Sequence, residues 1–306
     1  MATLKVNTIS GIGTEGVVLD GGLHFRSESY MTLPKGDTTQ RGRGRGLWGG
    51  GTTGTASDII QYAELSTTGN TTDFGNLSTA NQAAQAVSSS TRCCFGGGNN
   101  NPSYFNKIEF VTIATTSNVT DFGDLDAIKS GGQGCGNETR GIFGPGFSPT
   151  PTNRNVNTIE FITIASTGDA QDFGDFTEDI RGIAALSSPT RGLFAGGYAP
   201  SSPNLSNTIQ FITIATTGNA QDFGDTYTAR MNMSGGGCSN GIRGIFAGGV
   251  NLPSVTGYNV IDFVTIASTG NALDFGDLTV TGQGVGANSN SIRGVFGGRT
   301  NPSKQQ

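Results

Sequence analysis

Five copies of Asp-Phe-Gly punctuate this chain at nearly constant intervals. They open at Asp73, Asp121, Asp172, Asp222 and Asp274, in steps of 48, 51, 50 and 52 residues. Each follows a strand-like run centred on an aromatic residue and a Thr/Ser-rich turn. A period near 50 residues, built from short strands and Gly-Gly pairs, specifies a β-propeller with one blade per repeat. Such a fold repeats residues because each blade needs them, so most of the recurring positions are scaffold.

The intervals inside the repeat divide into fixed and variable parts. The strand aromatics are Tyr62, Phe110, Phe161, Phe211 and Phe263, each 11 residues before its Asp. From that Asp to the next repeat arginine (Arg92, Arg140, Arg191, Arg243, Arg293) the count is 19, 19, 19, 21 and 19. From arginine to the following aromatic, starting at Arg45, it is 17, 18, 21, 20 and 20. Length variation therefore concentrates in the loop after the Gly-Gly pair, and loops on a rigid scaffold are where proteins place recognition.

Each blade reads as four strands, a to d. Strand a is small and Gly- or Ser-rich, as in Gly235-Gly236-Gly237-Cys238. Strand b is Arg-Gly-apolar-Phe ending in Gly-Gly, as in Arg191 to Gly197. Strand c is typified by Ile159-Glu160-Phe161-Ile162-Thr163-Ile164, and strand d runs through Asp172-Phe173-Gly174. Strand c is apolar on both alternating faces, as a blade wedged between two neighbours requires. The turn at 165–169 suits a hairpin with Gly168 in the left-handed region, whereas Ser117 takes that place in the second copy. The repeat arginine and the Asp of Asp-Phe-Gly are expected to pair or cap backbone within a blade, Arg191 with Asp172 as a buried pair. Six arginine-led b strands stand against five complete c–d hairpins. A ring needs every edge covered, so six blades are preferred, the missing pair coming from the N-terminal pieces, with five the alternative.

Residues 1–37 lie outside the repeat, with short β-prone pieces (Leu4 to Ile9, Gly16 to Leu19, Leu23 to Phe25), and residues 38–306 form the propeller. Fifty of the 306 residues are glycine, about 16% against a usual ~7%, which fits tight turns and close backbones. The net charge of −5 and pI near 4.9 argue against a nucleic-acid partner. The run Arg41-Gly42-Arg43-Gly44-Arg45-Gly46 looks like an RNA-binding stretch, but Arg45 holds the repeat arginine position and reads as strand entry. No segment has the ~18 apolar residues of a membrane span, and the first residues lack the apolar core of a signal peptide. Cys93, Cys94, Cys135 and Cys238 read as small buried strand residues.

The repeat resembles that of kelch-like propellers, with strand b ending in Phe194-Ala195-Gly196-Gly197. It is more similar still to propeller-type structural proteins of marine bacteriophages, which carry strings like Thr-Ile-Ala-Thr-Thr-Gly-Asn-Ala at 213–220 and Asp-Phe-Gly-Asp at 222–225. The opening Ala2-Thr3-Leu4-Lys5-Val6-Asn7-Thr8-Ile9 looks like the start of phage fibre proteins. Leu33-Pro34-Lys35-Gly36-Asp37-Thr38-Thr39-Gln40-Arg41 is similar to a phage-appendage string, with Asp37 shifting the Thr pair by one. The resemblance covers essentially the whole chain. It implies a virion component, exposed on the particle and attached or oligomerised through its N-terminal segment, with a trimer expected.

Enzymatic chemistry finds little support in the residues. The one histidine, His24, lies outside the propeller, and no cysteine, histidine and carboxylate set has metal-site spacing, so neither metal nor cofactor is expected. Five periodic Asp-Phe-Gly copies without a phosphate-binding loop are not a kinase signature. Acid pairs such as Glu178–Asp179 are the only hint of glycosidase work. The variable b–c loops at 49–58, 96–107, 144–157, 196–207 and 248–259 carry better material: Tyr104, Phe105, Phe147, Arg154, Tyr198 and Tyr258. Aromatics beside Asn and Arg suit sugar stacking; the competing reading packs them within their loops or on a neighbouring subunit. The expectation is a non-enzymatic virion protein whose loop face binds host-surface glycan, or else a decoration or connector contacting other virion subunits.

Overall fold

A computed structural model describes residues 32–33, 36–37, 44–150, 154–200, 204–231, 236–254 and 256–298. The chain divides into two compact units, Met1–Gln40 and Arg41–Gln306. In the first, β1 (Thr32–Leu33) pairs antiparallel with β2 (Gly36–Asp37). The other N-terminal β-prone pieces, His24 and any contribution of residues 1–31 to the ring lie outside the described residues.

The second unit is an all-β propeller of five blades. Blade 1 has β3 (Arg45–Gly49), β4 (Ser57–Glu64) and β5 (Thr72–Asn81). Blade 2 has β6 (Gln85–Ser88), β7 (Arg92–Gly96), β8 (Lys107–Thr112) and β9 (Thr120–Asp124). Blade 3 has β10 (Gly134–Gly136), β11 (Arg140–Phe143), β12 (Phe147–Ser148), β13 (Arg154–Thr163) and β14 (Gln171–Ile180). Blade 4 has β15 (Ala184–Ser187), β16 (Arg191–Tyr198), β17 (Leu205–Thr213) and β18 (Gln221–Asp225). Blade 5 has β19 (Gly237–Ser239), β20 (Arg243–Ala247), β21 (Val260–Thr265) and β22 (Leu273–Asp277). A two-stranded sheet, β23 (Gly286–Ser289) with β24 (Gly294–Gly297), follows. It stands between blade 5 and blade 1: Ser289 Oγ donates to Ser239 O at 2.7 Å on one side, and Trp48 Nε1 donates to Gly286 O at 3.2 Å on the other. Five blades thus carry c–d hairpins, and the sixth arginine-led strand belongs to this half-sheet.

The Asp-Phe-Gly string is a β-bulge. In blade 3, Ile159 faces Gly174 and Glu160 faces Asp172, so Phe173 is the extra residue; the shift recurs at the same place in every blade. A bulge bends strand d and re-aims one side chain. Here it turns the Phe against the strand c aromatic, edge to face, as in Phe161–Phe173 at 5.9 Å and 81°. Burying each ring contributes ~1.5–3 kcal/mol, and the aromatic pair ~0.5–1.5 more. The glycine of the string has φ near +142° at Gly174, a region open essentially to glycine alone.

Strand c is buried on both faces, as its pattern required: Ile159 and Phe161 on one side, Ile162 and Ile164 on the other. All four cysteines are free and buried in strands. Burial pushes their thiols up, Cys94 and Cys238 to about 12. Ser117 has no positive φ, and the second hairpin keeps the turn bond of the other copies, Thr115 N–H to Thr112 O at 3.2 Å, so the serine is accommodated without that strain.

Candidate functional site

In blades 1 to 4 the repeat arginine bonds no Asp-Phe-Gly aspartate; it bolts its blade to the next. Arg191 stacks on Phe211 of its own strand c at 4.8 Å. Its Nη1 donates to the Ile266 and Ala267 carbonyls, at the c–d turn of blade 5, at 3.1 and 3.0 Å. Arg45 and Arg92 bind Ile113 and Ala114, and Ile164 and Ala165, in the same way; Arg140 binds Ile214. The expected buried Arg191–Asp172 pair is therefore corrected. Asp172 is exposed at the start of the bulge, and the guanidinium finds backbone oxygen across the blade boundary instead.

A second joint uses the residue before each strand c aromatic. Glu160, Gln210 and Asp262 accept the backbone N–H of Asp126, Thr177 and Tyr227 from the preceding blade. Two of these acceptors also hold a buried cation from the d–a connection. Lys129 Nζ lies 2.7 Å from Glu160 Oε1, and Arg230 Nη2 lies 3.0 Å from Asp262 Oδ2. Burial lowers the Lys129 and Arg230 pKa values and raises that of Asp262, each shift opposed by the ion-pair partner. A crevice of about 220 Å³ beside the Lys129–Glu160 pair is lined by Asp126, Ala127, Thr158, Glu160, Ala170 and Asp172. Of its carboxylates, that of Glu160 belongs to the joint, and those of Asp126 and Asp172 act on Lys129 by charge alone. Among the described residues, no three His, Cys, Asp or Glu side chains converge as a metal site.

The b–c loops and d–a connections do share a face, zipped by bridges Gln82↔Asn99, Ser130↔Phe147, Arg181↔Tyr198 and Met231↔Val250. On that face the structure assembles a strip across three blades. Tyr104 lies 5.8 Å from Phe147, and the Arg181 guanidinium lies 5.4 Å from the Phe147 ring centre and 5.2 Å from that of Tyr198. All four side chains are half-buried. Asn155 Nδ2 donates to Tyr198 O at 2.9 Å and steadies the strip from behind.

The other sequence candidates do not join it. Phe105 stacks with Lys107 at 5.2 Å. Arg154 is 61% exposed and 3.8 Å from Asp179. Tyr258, in blade 5, lies near enough to Arg230 to influence its charge. Arg181 was missing from the sequence candidates. Its signal was weak: a charge nine residues after Asp172, where the other blades carry Gln82, Ser130 and Met231.

No protein-family profile and no curated protein matches this chain.

Proposed function

We propose that this chain is a non-enzymatic bacteriophage virion protein, a tail-fibre or appendage subunit whose propeller loop face binds host-surface glycan. The phage assignment rests on the resemblance of the repeat and N-terminal strings. The binding assignment rests on one observation, the strip Tyr104–Phe147–Arg181–Tyr198. Ring faces take the C–H faces of a pyranose, and the neighbouring polar groups take its hydroxyls. The strip spans three blades, so an extended chain of sugars fits it better than a single residue.

The alternative is a decoration or connector protein binding other virion subunits. It has an observation of its own: Leu273 and Phe275 of β22 are 61% and 52% exposed, and exposed apolar clusters mark protein contacts.

Fluorescently labelled full-length protein added to host cells, beside the Phe147→Ala/Tyr198→Ala variant, tests the reading. Cell binding that the double variant loses supports host recognition. Protein that ignores cells but binds stripped particles makes it a decoration or connector.

A further inference from the structure

Most arginines of the propeller body give their guanidinium groups to acceptors; Arg181, Arg243 and Arg293 do not among the described residues, and of these three only Arg181 lies over two rings on the loop face. Arg92, Arg140 and Arg191 give their guanidinium N–H groups to carbonyls, Arg45 to carbonyls and Glu64, and Arg230 to Asp262. The guanidinium of Arg181 lies over two aromatic rings, yet among the described residues it has no hydrogen-bond or ion-pair partner. Its backbone is held on both sides: the Arg181 N–H donates to Tyr198 O at 3.1 Å, and the Tyr198 N–H donates to Arg181 O at 2.7 Å. The nearby carboxylate Asp179 is matched to Arg154.

A guanidinium offers five N–H donors in its plane and stacks through its faces. At Arg181 the cation lies over two rings, and its N–H donors meet no acceptor among the described residues. Holding the group in place beforehand reduces the ordering cost of binding. The planar, two-oxygen acceptor that matches such a fork is a carboxylate. On the glycan-binding reading of this strip, on which this step depends, the carboxylate belongs to the sugar chain.

We infer that the loop face recognises an acidic polysaccharide, with Arg181 taking the carboxylate of a uronic-acid-type residue while Phe147, Tyr198 and Tyr104 stack against the rings. The chain's net charge of −5 gives no long-range attraction for such a ligand, so recognition must come from this local fork. Loss of the acid should therefore abolish selectivity without abolishing ring stacking.

The test is an array of acidic and neutral polysaccharides, each uronate also present in carboxyl-reduced form, probed with full-length protein. Wild type should bind a uronate at least tenfold tighter than its reduced counterpart. Arg181→Gln should remove that ratio while keeping residual binding to the reduced form, and Arg181→Lys should recover only part of it. Tyr198→Ala should weaken both forms alike. Equal wild-type binding to native and reduced polymers overturns the acidic-ligand inference and leaves glycan binding standing. Persistence of the ratio in Arg181→Gln, with an unchanged melting curve, overturns the role of Arg181. Binding to no member of the array overturns the glycan reading itself.

Discussion

The guanidinium of Arg191 reaches 75 residues along the chain to hold the carbonyl of Ile266 at 3.1 Å, while stacked on Phe211 of its own blade. One side chain thus fastens the core of blade 4 to the c–d turn of blade 5. The same joint recurs from Arg45, Arg92 and Arg140, so blades 1 to 5 are fastened in series by one repeated bond between neighbours.

Replacing Arg191 measures that joint. Hydrogen bonds from a charged donor contribute ~1.5–3 kcal/mol, and an exposed guanidinium–ring contact ~0.5–1. Arg191→Ala should therefore cost about 2–3 kcal/mol in urea unfolding. Arg243 stacks on Phe263 at 4.5 Å but has no carbonyl acceptor among the described residues, so Arg243→Ala should cost under ~1 kcal/mol. Equal costs at the two positions would show that the stacking alone matters.

Gly174 and Gly276 separate conformational strain from collision. Both have φ near +140°, at +142° and +138°, so an alanine at either is strained by ~1–3 kcal/mol. A Cβ on Gly174 would stand 2.5 Å from the Gly218 carbonyl oxygen of the next blade, whereas one on Gly276 meets nothing within 4 Å. Phe275 is 52% exposed where Phe223 is 2%, for the same reason: no described turn seats on blade 5. Gly174→Ala should be the more destabilising by about 1–3 kcal/mol, read from paired denaturation curves.

The Arg230–Asp262 pair has both side chains fully buried. Arg230→Met leaves that carboxylate without its cation, which costs about 3–5 kcal/mol. The joint between blades 3 and 4 already uses a neutral solution at the same two positions, Ile180 with Gln210. Arg230→Ile combined with Asp262→Gln should therefore recover most of the loss. Burial raises the Asp262 pKa, so the folded state takes a proton more readily than the unfolded one. Its stability contribution thus falls as pH rises from the unfolded carboxylate range through the raised value. In Arg230→Met the opposing cation is gone, so the deficit should shrink as pH drops from 7 toward 4, and the double variant should show no such trend. A deficit independent of pH would mean that Asp262 is hydrated once Arg230 is removed.

The strand order within a blade was legible because burial on both faces leaves a mark in strand c, and because only glycine tolerates the bulge at Gly174. The partner of Arg191 was not legible. Backbone carbonyls carry no residue signature, so its regular spacing with Asp172 pointed to the wrong acceptor. The blade count was readable only as six or five, since β23 and β24 look the same in sequence whether or not a c–d hairpin follows. Arg181 escaped notice because a binding residue need not repeat, and its column holds Gln82, Ser130 and Met231. The ion pairs show up only when columns are compared: Lys129 with Glu160, Arg230 with Asp262, and Ile180 with Gln210.

Ring closure can be followed through Trp48, the single tryptophan of the chain. It takes the place that Phe95, Phe143, Phe194 and Phe246 hold in later blades, and its ring covers Gly286 and Gly297 of the half-sheet. The Trp48 indole N–H donates to Gly286 O, and Asn288 Nδ2 donates to Leu47 O at 3.0 Å. If closure is part of one cooperative unit, tryptophan emission and far-UV circular dichroism should unfold with a common midpoint. Asn288→Ala removes one bond of the closure and should cost about 1 kcal/mol with the midpoints still coincident. Ending the chain at residue 284 uncovers one face of the indole, and acrylamide should then quench Trp48 in the folded state. Quenching unchanged by that truncation would mean the half-sheet does not cover Trp48 in solution.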